Sequence, residues 1–150
     1  MKRIIVTLIS IFFISAIHAQ IKDPVKWSYS ATKKSDKEYT VVIDASLPTE
    51  WHIYSMNTPA NGPVATNVAF KKNPLVTLDG SVKENGELKT DHDAVFGVDV
   101  KYFNDKVEYT QTVKLKSAVK TNVTGTIKYM VCNDKMCLPP KTIPFNIQLQ

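Results

Sequence analysis

The stretch Tyr129-Met-Val-Cys-Asn-Asp-Lys-Met-Cys-Leu-Pro-Pro140 holds the two cysteines of the chain, Cys132 and Cys137. Four residues separate them, and the turn formers Asn133 and Asp134 directly follow the first cysteine. On both sides of the stretch, apolar residues alternate with mostly polar ones, as in strands with one buried face. The alternating residues are Val123, Ile127, Tyr129 and Val131 before the loop, and Ile143, Phe145, Ile147 and Leu149 after it. The pattern predicts a C-terminal β-hairpin with one cysteine where each strand meets the connecting loop.

The predicted hairpin brings the two cysteines within bonding reach. Residues that face each other across antiparallel strands have Cα atoms about 4.5 or 5.5 Å apart, and disulfide-bonded cysteines usually have Cα atoms roughly 4.4–6.8 Å apart. The bond would close a ring of six residues, for which loop entropy gives about 2 kcal/mol of stabilisation. A structural staple and a pair that opens and closes for electron exchange both agree with this spacing.

The same stretch resembles the active-site hairpin of the N-terminal periplasmic domain of DsbD, the thiol–disulfide interchange protein. That family has an aromatic residue, a spacer, a cysteine, a short loop with an acidic residue, a second cysteine, an apolar residue and Pro-Pro. The matching positions are Tyr129, Cys132, Asp134, Cys137, Leu138, Pro139 and Pro140. The loop between the cysteines is one residue shorter than in the best-known members.

The resemblance implies an immunoglobulin-like β-sandwich in which Cys137 forms the mixed disulfide with a partner and Cys132 resolves it. The segment Asp93-Ala-Val-Phe-Gly97 resembles the cap loop of the family, so Phe96, or its neighbour Val95, would shield the cysteine pair. The residues that would flank the pair are Tyr129, Leu138 and Pro139.

The resemblance also implies partners and a role as a protein-disulfide reductase or interchange component. The expected partners are thioredoxin-like proteins or a DsbD-type membrane electron donor, and oxidised periplasmic proteins. We expect no cofactor. Full-length DsbD also has a membrane domain and a C-terminal thioredoxin-like domain. Neither has a counterpart in these 150 residues, so we expect a stand-alone form of the N-terminal domain.

Residues 1–19 have the features of a secretory signal peptide. Lys2 and Arg3 give a positive start, an apolar run follows over residues 4–14, and Ala16 and Ala19 are small residues near the expected cut. A membrane span needs about 20 apolar residues, so we expect cleavage and no stable membrane insertion afterwards. The resulting location, periplasmic or secreted, would allow a disulfide to form and persist.

The remaining domain, residues 20–150, is long enough for one domain with its own core. Without Lys2 and Arg3 its formal net charge falls from +5 to +3, and the charges are interspersed along the chain. No dense basic stripe is present, so nucleic acid is not an expected partner.

Short alternating segments separated by turn residues predict eight or nine strands in an all-β, immunoglobulin-like antiparallel β-sandwich. Asp79-Gly80 and Asn85-Gly86 are predicted turns. Residues 89–94 contain Asp91-His92-Asp93 and are predicted to form a solvated loop rather than a metal site. His52, in a short aromatic segment, is interpreted as a packing residue rather than a catalytic one.

Two other classes of function remain open. Met130, Cys132, Met136 and Cys137 are soft donors that could bind copper(I). A non-enzymatic β-sandwich binding or adaptor module with a structural disulfide would also fit the sequence. A redox titration separates the three, because a carrier has an accessible potential, a staple resists mild reductants, and a metal site takes up copper(I) stoichiometrically.

Overall fold

The computed structural model describes residues 23–149, and the predicted signal peptide at residues 1–19 lies outside the described residues. The regular structure within residues 23–149 is entirely β. The strands are β1 (Lys26–Ser35), β2 (Glu38–Ser46), β3 (His52–Tyr54), β4 (Asn67–Phe70), β5 (Val76–Asn85), β6 (Leu88–Asp93), β7 (Val98–Asn104), β8 (Lys106–Leu115), β9 (Thr121–Tyr129), β10 (Val131–Cys132) and β11 (Lys141–Leu149). No helix in this part of the chain is long and apolar enough to cross a membrane.

The strands pair antiparallel in three sheets, ordered β1-β2-β8-β5, β10-β3-β7-β6 and β11-β9-β4. Burial alternates strictly along β2 and β8, as expected for strands with one face on the core and one in water. Inward side chains of the first and third sheets meet in one buried cluster, which includes Val41, Ile43, Ile127 and Phe145. The predicted all-β, immunoglobulin-like antiparallel sandwich is confirmed, with eleven strands in residues 23–149 where the sequence predicted eight or nine.

The core contains one close approach that requires glycine. Gly125 lies in β9 between β4 and β11, opposite Phe70 on one side and Phe145 on the other. A Cβ at this position would overlap the ring of Phe145 and the carbonyl oxygen of Ala69. The missing side chain therefore makes the space in which the Phe145 ring packs.

Two local predictions were wrong. Asp79-Gly80 does not end a strand, because β5 continues to Asn85 with a register shift against β8 between Asp79 and Lys83. A bulge takes up the extra residues, with Gly80 at φ 70°. Residues 89–94 are not a solvated loop either, because most of them belong to β6, an edge strand paired with β7. The polar side chains of β6 face solvent, while its backbone pairs with β7 along one edge of the strand.

The cysteine stretch connects two sheets. β9 and β11 form the predicted hairpin, from the pair Thr121 and Leu149 to the pair Tyr129 and Lys141. Between these strands, β10 leaves the third sheet and pairs with β3 in the second. The side chains of β3 and β7 are thereby brought to the cysteines.

Candidate functional site

Cys132 and Cys137 form a disulfide, and their Cα atoms are 4.0 Å apart. The two residues pair as an isolated antiparallel bridge. Their Cα distance is below the limit of about 7 Å beyond which two cysteines cannot be bridged, as the predicted hairpin requires. Asn133 closes the loop between them. Its backbone N–H donates to the Met136 carbonyl (2.9 Å), and its Oδ1 accepts from the N–H groups of Lys135 (3.0 Å) and Met136 (2.9 Å). These bonds explain why a turn former follows the first cysteine.

The two cysteines differ sharply in exposure. Cys132 is 2% exposed, whereas Cys137 belongs to the exposed residues of the loop. Disulfide exchange requires a thiolate to reach one sulfur of the bond, so access decides which sulfur is attacked. Of the two cysteines, Cys137 is the more exposed residue.

Tyr54 contacts the buried sulfur. Its hydroxyl donates a hydrogen bond to Sγ of Cys132 at 3.2 Å, and its side chain is 1% exposed. Tyr54, Cys132 and Val100 form a small buried cluster of their own. Burial, together with the nearby Asp93 carboxylate, raises the pKa of Tyr54 to about 12. The phenol therefore remains a protonated donor at neutral pH.

The predicted cap loop is a tight turn at residues 94–97 between β6 and β7. Asp93 organises it: its Oδ1 accepts from the N–H groups of Val95 (2.8 Å) and Phe96 (3.2 Å), and its carbonyl accepts from that of Gly97 (2.7 Å). Gly97 has φ 67°, a conformation that favours glycine. Val95 is 88% exposed at the tip, and Phe96 is partly buried.

His52 lies directly opposite Cys132 in the pairing of β3 with β10. Its ring packs edge-on against Tyr54, with centroids 5.2 Å apart, and lies 4.8 Å from the ring of Tyr102. Burial lowers the pKa of His52, although the carboxylates of Asp134 and Asp93 act in the opposite direction. The interpretation as a packing residue gave no reason to expect a position beside the cysteines.

The predicted flanking residues Tyr129, Leu138 and Pro139 line one groove of about 340 Å³. The Leu138 N–H donates to the Val131 carbonyl at 2.9 Å, which ties the strand after Cys137 to β10. At one side of the groove, Asp23 accepts hydrogen bonds from the Tyr129 hydroxyl and from Nζ of Lys141. The groove begins at the residue next to the exposed cysteine.

Two sets of residues are candidate metal ligands in the sequence. Within residues 23–149, no group of three or more histidine, cysteine or acidic side chains could hold a metal ion. Nδ1 of His92 pairs instead with Asp99 at 2.9 Å in solvent. In the copper(I) set, the disulfide removes both thiolates while it is closed, and Met136 is 46% exposed.

Comparison with known proteins gives one family and a set of similar folds. The family described as "Thiol:disulfide interchange protein DsbD, N-terminal" matches residues 20–148. The N-terminal periplasmic domain of ScsB from Proteus mirabilis is similar in structure, with TM-score 0.59 and 15% identity. The match covers 87% of this chain and 47% of that domain, so the chain spans about half the length of that relative.

A second similar structure is the N-terminal domain of DsbD from Neisseria meningitidis in its reduced form, with TM-score 0.51 and 14% identity. This match covers 81% of the present chain and 83% of the Neisseria domain. At these identities the structural likeness establishes the fold. Among curated proteins, no sequence matches the chain.

Proposed function

The chain belongs to the family of DsbD N-terminal domains, which take part in thiol–disulfide interchange, and we propose that it is a periplasmic carrier of reducing equivalents. Its Cys132–Cys137 pair would accept electrons from a thioredoxin-like protein or a DsbD-type membrane donor. It would then pass them to oxidised exported proteins. The observation that carries the proposal is the contrast between exposed Cys137 and buried Cys132 in one short ring.

Uptake of electrons begins when a donor thiolate attacks Sγ of Cys137. A bond forms between the donor sulfur and Cys137, the Cys132–Cys137 bond breaks, and its electron pair leaves on Cys132 as a thiolate. The second thiol of the donor then releases Cys137. Two electrons have moved, and both cysteines are reduced.

Delivery runs in the opposite direction. The Cys137 thiolate attacks a disulfide of the oxidised protein and forms a mixed disulfide. Cys132 then attacks Cys137, restores the Cys132–Cys137 bond and releases the substrate as a dithiol. The roles follow from access, because a partner sulfur can reach the exposed cysteine while the buried one remains next to it.

Local geometry favours a cycling pair over a staple. The hydrogen bonds from Leu138 to Val131 and from Asn133 to Met136 close the loop without either sulfur. Loss of the disulfide therefore leaves these constraints in place. The six-residue ring contributes only about 2 kcal/mol as a cross-link, which weakens the case for a purely structural bond.

The groove beside Cys137 supports a docking role for its lining. Leu138, Pro139 and Pro140 form an apolar wall, and the prolines have no amide N–H to desolvate when a partner covers them. We propose that a thioredoxin-like partner docks here. Phe96, with Val95 beside it, would shield the reduced pair.

Trapping tests the role assignment. In Cys132→Ser, Cys137 should form a long-lived mixed disulfide with a thioredoxin-like partner, because no resolving thiol remains. In the matched variant Cys137→Ser, the remaining thiol is buried and trapping should be much weaker. Equal trapping by both variants would overturn the roles, and no trapping by either would favour the structural disulfide.

A further inference from the structure

We propose that His52 is the proton-exchange partner of Cys132. Its imidazole takes the thiol proton when Cys132 attacks the mixed disulfide, and returns a proton when Cys132 leaves as a thiolate. The inference rests on the proposed function, and it assigns a chemical role to a residue that none of the preceding steps uses.

The first support is position. His52 and Cys132 occupy opposite places in an antiparallel pair, where side chains share one face and Cβ atoms lie about 4.5–5.5 Å apart. Tyr54 is on the same face of β3, two residues further on, and its hydroxyl contacts the Cys132 sulfur. This placement is compatible with proton exchange between the imidazole and the sulfur, directly or through one water, as acid–base catalysis requires.

The second support is the surroundings of the ring. His52 lines an open pocket of about 260 Å³, which gives its proton a route to solvent. The titratable groups around this pocket are Tyr54, Tyr102, Glu50, Asp91, His92, Asp93 and Asp134. Asp93 and Asp134 stabilise the imidazolium formed when His52 takes a proton. The burial that lowers its pKa keeps the free ring neutral at pH 7, ready to accept.

The third support is the chemistry of the groups that the structure places beside the buried sulfur. A buried thiol is harder to ionise than an exposed one, and Cys132 is 2% exposed. Tyr54, with its pKa raised to about 12, donates a hydrogen bond but does not take a proton at neutral pH. Histidine is the side chain that changes charge in this range, and the exposed His92 is engaged by Asp99.

Protons balance in both directions. During delivery, the Cys132 S–H bond breaks, its proton goes to the imidazole, and the sulfur electron pair attacks Cys137 and expels the substrate thiolate. During uptake, the electron pair of the broken disulfide remains on Cys132. The imidazole then passes a proton to that sulfur and takes a replacement from solvent through the open pocket. The electrons come from the donor dithiol in each cycle.

The experiment follows the reduced chain as it reacts with dithiodipyridine in a stopped-flow spectrometer. Attack by Cys137 releases the first thiopyridone in a bimolecular phase. Attack by Cys132 on the mixed disulfide releases the second in a unimolecular phase, and the pH profile of that phase reports the ionisation of Cys132.

In His52→Phe, which keeps an aromatic ring, and His52→Gln, which keeps hydrogen bonding, the unimolecular phase should slow at least about tenfold at pH 7. Its pH midpoint should rise towards or above the ordinary thiol value of about 8.5. The bimolecular phase should change little. His92→Gln is the matched control and should leave both phases unchanged.

A second measurement does not depend on variants. In the unaltered chain, an NMR titration should show a different His52 pKa in the oxidised and reduced states. Unchanged unimolecular profiles in the His52 variants, or the same His52 titration in both states, would overturn the inference. Failure of the proposed function looks different: mild reductants would then not open the disulfide in the unaltered chain.

Discussion

The hydroxyl of Tyr54 donates a hydrogen bond to Sγ of Cys132 at 3.2 Å, across 78 residues of sequence. A disulfide sulfur is a weak acceptor, but the same sulfur as a thiolate is a strong one, because hydrogen bonds to ions are stronger than neutral ones. Tyr54 is thus placed to stabilise Cys132 more after the bond breaks than before.

Tyr54→Phe should therefore make the disulfide harder to reduce. A hydrogen bond to a charged group contributes about 1.5–3 kcal/mol, and about 30 mV corresponds to 1.4 kcal/mol for this two-electron couple. We expect the reduction potential, measured by equilibration with glutathione at a pH where the reduced Cys132 is ionised, to become more negative by about 30 mV or more. Tyr102→Phe is the control, since Tyr102 packs on the same cluster, and an equal shift there would contradict the hydrogen-bond explanation.

Phe96→Ala should expose the reduced cysteines. The ring belongs to the turn that Asp93 holds at residues 94–97, and we expect the reduced chain to react several-fold faster with iodoacetamide once the ring is removed. Val95→Ala should have a small effect, because Val95 is already 88% exposed. If neither substitution changes the rate, the turn does not shield the pair.

Gly125→Ala should destabilise the fold strongly. The added methyl would overlap the Phe145 ring and a backbone oxygen that cannot rotate away, and overpacking typically costs about 1–3 kcal/mol or more. Urea unfolding should show a loss of at least about 3 kcal/mol. Gly62→Ala, where the nearest atom to the added Cβ lies at 3.2 Å, should cost much less. Similar midpoints for the two variants would argue against the close approach.

Asp23 should contribute a pH-dependent part of the stability. Burial alone would raise its pKa, but hydrogen bonds from Lys141, Tyr129 and the Val25 N–H lower it overall from 3.8. A carboxylate with a depressed pKa stabilises the fold above its unfolded value, and the contribution is lost as pH falls through the folded value.

The test of this contribution is urea unfolding over a pH series. Asp23→Asn should be less stable than the unaltered chain at pH 7, and the gap should close as the pH falls below about 3.8. Asp36→Asn, which removes an exposed ion pair with Lys33, should show a much smaller gap because solvent screens it. A gap that stays constant down to low pH would exclude the titration of Asp23 as its cause.

The strands that could be predicted are those with one face on the core. β2 and β8 alternate between buried and less buried residues over nearly their whole length. The alternation of apolar and polar residues in the sequence therefore predicts each strand. β6 has no fully buried residue, and its sequence therefore resembles a loop. The backbone pairing that makes it a strand is supplied by β7.

The residues of the candidate site also fall into two groups, one that a local sequence motif predicts and one that it does not. Cys132, Cys137, Leu138 and Pro139 are neighbours in sequence, so a short motif contains them. His52 and Tyr54 reach the sulfurs through the pairing of β3 with β10. The spacing of His52 and Tyr54 predicts that both lie on one face of a strand, but the local sequence does not predict which strand pairs beside them.

The cysteines are five positions apart, and they are the two cysteines of the sequence. A chain with more cysteines must form one disulfide pairing among several, since four cysteines already allow about three different pairings. Here a single intramolecular product exists, and a flexible segment this short brings its ends together before distant strands meet. Within these 150 residues, oxidation therefore requires an oxidant but no isomerase to choose among intramolecular pairings, and the competing product is a covalent dimer.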